Sequence, residues 1–145
     1  MAVGRDHHPI AIWCDGRSFE ADAPTSTRKR AAAGVLELFT STLTALSPSW
    51  GSILFAWPLP SPSEVASRPN GFEFPDFCLS EKYVGKRKVQ RIVDLVDNSC
   101  ITYLANGILV LTSGLFAPKP HNAEAVRVQA ALAIASAYEQ QNSSR

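Results

Sequence analysis

Asn106-Gly107, set between the apolar runs 100–105 and 108–113, constrains this chain more than any other feature. Asn and Gly accept the left-handed backbone that a tight two-residue turn needs. The dipeptide predicts a type I′ hairpin in a central sheet, with Tyr103 opposite Val110 and Leu104 opposite Leu109. On that reading, a side chain at Gly107 costs about 1–2 kcal/mol of left-handed strain. Bulky residues on both sides of the two strands predict that both faces are at least partly covered.

Hydropathy patterning supplies the other elements. Ile10 to Trp13, closed by Asp15-Gly16, predicts a strand over about 8–14. Ala32, Val35, Leu36, Phe39, Leu43 and Leu46 share one stripe at helical spacing, so 28–46 reads as a helix that Pro48 ends. The almost wholly apolar run Trp50–Trp57 predicts an interior strand, stopped by Pro58, Pro60 and Pro62. Residues 58–79 then read as a long Pro-rich aromatic connection with a short strand near Phe72–Phe74. Ser80 caps a short turn through Tyr83 that Gly85 ends. Val89, Ile92, Val93 and Val96 give a helix over 86–96 its core stripe. Asn122 precedes a last helix over 123–140, whose stripe is Ala123, Val126, Ala130, Ala133, Ile134, Ala137 and Tyr138. Val128 and Leu132 lie outside that stripe and call for a second cover, from this chain or from a homodimer partner.

The order is β-α-β-loop-α-β-β-α. It predicts a single α+β domain over residues 1–145: one mixed or antiparallel sheet of about four strands, whose first two can lie parallel, with three helices packed on it. At 145 residues such a chain buries a core without cross-links. The cysteines, Cys14, Cys78 and Cys100, are odd in number and sit in apolar contexts. They read as reduced, buried thiols in a cytoplasmic protein. Residues 1–9 hold no long apolar run, so no secretory leader is expected, and no stretch is long enough for a membrane span.

Fourteen Lys and Arg against thirteen Asp and Glu give a formal charge of +1, which does not suit a general polyanion binder, so nucleic acid is not the expected partner. His7-His8 is the only histidine cluster. Two ligands do not make a zinc site, and no metal or cofactor is expected. No Gly-x-Ser-x-Gly elbow or phosphate-binding glycine loop is present, so no residue is assigned as catalytic. Two basic clusters stand at predicted helix starts, Arg28-Lys29-Arg30 and Lys86-Arg87-Lys88 with Arg91. Cations there oppose the helix dipole, which makes Lys86, Arg87, Lys88 and Arg91 candidates for holding an anion. In the Pro-rich segment, Trp57, Phe72, Phe74 and Phe77 are candidate aromatic anchors for a protein partner, with Glu73 and Asp76 as selective charges. The alternative is that these rings fold back over the sheet.

Trp13 with Arg17 after a first strand, then an amphipathic helix and Pro48-Ser49-Trp50, resembles the opening of small immunity proteins of bacterial toxin–immunity systems. The resemblance covers about a third of the chain and implies a non-enzymatic protein that binds and blocks a cognate toxin. A small enzyme or ligand binder with a site between sheet and helices, and a self-assembling structural subunit, are the competing readings. A pocket of convergent polar groups would favour the enzyme, and an exposed apolar patch the other two.

Overall fold

In the computed structural model, residues 16–55 and 58–144 are described. The expected strand over 8–14, with Cys14, His7 and His8, lies outside them, as does Trp57. Among the described residues the chain forms an α+β fold of five α-helices and one four-stranded antiparallel sheet.

Helix α1, Thr25–Leu46, follows a 3-10 turn at Gly16–Phe19. It ends where Ser47 turns left-handed (φ 44°) and donates its N–H to the Leu43 carbonyl. Pro48 then forbids continuation. Strand β1, Trp50–Ile53, is shorter than its apolar run suggests. Helix α2, Pro62–Ser67, occupies part of the segment expected to be loop. Its start is a capping box: Glu64 donates its N–H to the Ser61 hydroxyl, and Ser61 donates its own to the Glu64 carboxylate at 2.7 Å. That backbone hydrogen bond holds the Glu64 carboxyl below its ordinary pKa.

A 3-10 turn at Pro69–Gly71 leads to β2, Asp76–Ser80, whose five residues are all buried. The expected strand near Phe72–Phe74 therefore forms four residues later. It pairs antiparallel with β1, Trp50 opposite Leu79 and Ile53 opposite Asp76. The parallel pairing expected between the strand over 8–14 and β1 lies outside the described residues.

Helices α3, Glu81–Val84, and α4, Lys86–Val93, come next, separated by Gly85 at φ 92°. Strands β3, Ile101–Leu104, and β4, Gly107–Leu111, form the expected hairpin with a shifted register: Tyr103 faces Ile108 and Leu104 faces Gly107. The two-residue loop is thus Ala105–Asn106, and Gly107 opens β4. None of the three has a positive φ, so the turn is not type I′. The sheet order is β1-β2-β4-β3, which puts β2 and β4 in the middle.

Strand alternation sends side chains to two layers. Phe77, Leu79, Ile108 and Val110 join the larger core with Trp50, Val65, Val89, Ile92 and the last helix, α5, Ala123–Ser143. Cys78, Leu109 and Leu111 face the other way, under Leu43, Leu36 and Phe39 of α1. The expected stripe of α5 is buried, except for half-buried Tyr138, and Ala131 and Ala135 are buried as well. These small residues let α5 pack closely on α2. Outside the stripe, Val128 is half-buried and Leu132 exposed. No helix of the described residues is long and apolar enough to cross a membrane.

Candidate binding surface

The aromatic segment closes the core instead of presenting a surface. The Phe74 ring is 1% exposed, edge-on to Trp50 with centroids 5.3 Å apart, and stacked with Phe72 at 6.4 Å. Phe77 is wholly buried. Phe72 is half-buried beneath the Arg68 guanidinium, 5.2 Å above the ring. Phe74 and Phe77 are thus core residues of this chain and not surface anchors: α2 and α5 cover their side of the sheet, and apolar rings gain more from that burial than from water.

Asp76 is corrected in the same way. It is fully buried, and its Oδ1 accepts the N–H groups of Thr112 (2.9 Å) and Ser113 (3.1 Å). Its Oδ2 has no hydrogen-bond partner among the described residues. Arg127 of α5 donates to the Thr112 hydroxyl (3.0 Å) and carbonyl (3.1 Å), and pairs with Glu73 at 3.4 Å. The Thr112 hydroxyl in turn donates to the Pro75 carbonyl. Together these bonds clasp the start of β2 to the end of β4 and to α5. Among the expected charges only Glu73, with a side chain 65% exposed, reaches the surface. Its partner Arg127 was missed in sequence. The available signal was a lone cation in an Ala- and Val-rich helix face.

A concave surface does exist, on the opposite layer. Helix α1 stops short of the β3–β4 hairpin and leaves a strip of sheet bare. The result is a groove of about 230 Å³, with Leu43, Ser47 and Pro48 on one wall, Leu104 and Gly107 on the other, and Cys78 beneath. Gly107 contributes no side chain to fill it, and Leu104 is only half-buried. By strand alternation Tyr103, 67% exposed and opposite Ile108, turns its side chain to the other face of the sheet, while Leu46, 50% exposed, ends the helix next to Ser47. Strand β3 is a sheet edge in the described residues, so its outer backbone groups are open to a further strand. The groove offers apolar walls, the hydroxyls of Thr44, Ser47 and Ser80, and that edge.

Burial pushes the Cys78 thiol up to about 12, against backbone hydrogen bonds that favour the thiolate. Cys100 is buried too, its thiol donating to the Pro118 carbonyl at 3.3 Å. Since the thiolate is the nucleophile, Cys78 should not react at pH 8 in the folded chain, and burial shields Cys100 from reagent. Iodoacetamide, read by peptide mass spectrometry, is expected to leave both unmodified over a time that fully labels them in guanidinium. Rapid alkylation of Cys78 in native protein would show a nucleophile at the base of the groove.

Among the anion candidates, Lys86, Arg87 and Arg91 are exposed and Lys88 is half-buried. Among the described residues, no group of three or more His, Cys, Asp or Glu is placed to hold a metal ion. No protein-family model, curated protein or solved structure matches the chain.

Proposed function

We propose that this chain is a non-enzymatic protein-binding domain, of the kind that its resemblance to immunity proteins implies, and that its partner seats in the groove between α1 and the β3–β4 hairpin. The observation that carries this reading is the preformed groove lying beside an exposed aromatic and an open strand edge. A partner segment laid there gains backbone hydrogen bonds from β3 and apolar contact from Leu43, Pro48 and Leu104. Aromatic side chains usually dominate such interfaces, and a strand added at the β3 edge lies beside Tyr103, on the sheet face away from the groove.

The test is partner capture from the native host followed by calorimetry on wild type and Tyr103→Ala. Tyr103 is mostly exposed, so truncation should leave the thermal melt nearly unchanged. Loss of about 2 kcal/mol or more of binding, roughly thirtyfold in affinity, is expected. Wild-type affinity in a folded Tyr103→Ala chain would remove the β3 edge as the docking site.

A further inference from the structure

Five of the chain's fourteen Lys and Arg fall within residues 82–91, a stretch with none of its thirteen Asp and Glu. The remainder therefore carries nine cations against thirteen acids, and the near-zero total charge hides a cationic block on an acidic body. The fold turns that block outward. Val89 and Ile92 fix α4 on the core, on the sheet face opposite the groove, so Lys86, Arg87 and Arg91 point to solvent, with exposed Lys82 on α3.

The arrangement is locally unfavourable. Lys86 and Arg87 occupy the first turn of α4, where the dipole is already positive, and no acid offsets them. The helix has no side-chain cap. Arg87 and Arg91 are like charges one turn apart. Among the described residues none of Lys82, Lys86, Arg87 or Arg91 enters an ion pair, and the nearby carboxylate of Asp94 accepts from Gln90 instead, at 2.8 Å.

We infer that the outer face of α3 and α4 is a second docking surface, independent of the groove, and that its occupant is the acidic surface of a protein. Charge complementarity sets the sign of the partner, and the dimensions set its class. An eight-residue helix presents a patch about 12 Å long. A duplex nucleic acid runs well beyond that length and meets the acidic remainder of the chain, which repels it. A compact acidic patch on a protein ends where the cations end.

The experiment is fluorescence anisotropy with a labelled peptide of alternating Glu and Gly, against a labelled DNA duplex of equal charge. The expected result is saturable peptide binding, tighter than that of the duplex, and weakened by added salt. The combined variant Lys86→Gln/Arg87→Gln/Arg91→Gln should lose about tenfold or more in peptide affinity, while keeping or raising the melting temperature. Lys29→Gln/Arg30→Gln, at the other basic cluster, should bind as wild type does. Absence of saturable binding at low salt overturns the inference. So does tighter binding of the duplex, which makes the face a nucleic-acid surface, and so do equal losses in the two variants, which make the attraction unspecific.

Discussion

Phe74→Ala is expected to destabilise the chain by about 3–5 kcal/mol, a large part of what a domain of this size has. The ring is 1% exposed, lies edge-on to Trp50 at 5.3 Å and is stacked with Phe72 at 6.4 Å, so its removal opens a void and breaks two aromatic contacts at once. The void is lined from β1, which supplies Trp50, and from the loop before β2, so neither side can close it without shifting the sheet. Phe72→Ala should cost less, because that ring is half-buried beneath the Arg68 guanidinium. Urea unfolding followed by far-UV circular dichroism measures both. Equal midpoints for Phe74→Ala and wild type would place the ring outside the core. The expected result also changes how binding data at this position are read: a partner lost by Phe74→Ala would report unfolding, not an anchor.

What the sequence showed and what it hid divide along physical lines. Helices α1, α4 and α5 were legible because a 3.6-residue stripe is a long, redundant signal. The same stripe on α4 made its basic face legible, since fixing Val89 and Ile92 inward leaves Lys86, Arg87 and Arg91 no other side. Strand β2 was hidden. It holds three apolar residues between Asp76 and Ser80, and a carboxylate reads as surface until its partners are known. Those partners, the Thr112 and Ser113 amides, lie more than thirty residues away in sequence, and no local pattern announces them. The Glu73–Arg127 pair was hidden for the same reason. Helix α2 was legible and went unread: Ser61-Pro62-Ser63-Glu64 is a capping box with proline at the first helical position. The groove belongs to neither class. It exists because α1 ends one strand short of the sheet's edge, which depends on how the helix lies across the sheet and not on its residues alone.

Gly107→Val is expected to cost at or above the roughly 3 kcal/mol upper end of ordinary overpacking, for a reason different from the one the Asn-Gly pair suggests. The turn residues are Ala105 and Asn106, and Gly107 lies in β4 opposite Ser80 with no positive φ, so left-handed strain does not arise there. Proximity does. A Cβ on residue 107 would stand 1.9 Å from the Leu79 carbonyl oxygen and 2.9 Å from the Ser80 Cα, both backbone atoms of the neighbouring central strand. Backbone cannot rotate away as a side chain can, so the two middle strands would have to part at the hairpin end. The two explanations separate experimentally. Left-handed strain would spare Gly107→Asn, since Asn tolerates that conformation, and would penalise valine most. A backbone clash begins at Cβ, so Gly107→Ala, Gly107→Asn and Gly107→Val should all lose comparable stability in urea unfolding. Gly107→Asn near wild type, with valine unfolded, would restore the left-handed turn. Uniform loss assigns the glycine to the close approach of β2 and β4, the contact that also sets the floor of the groove.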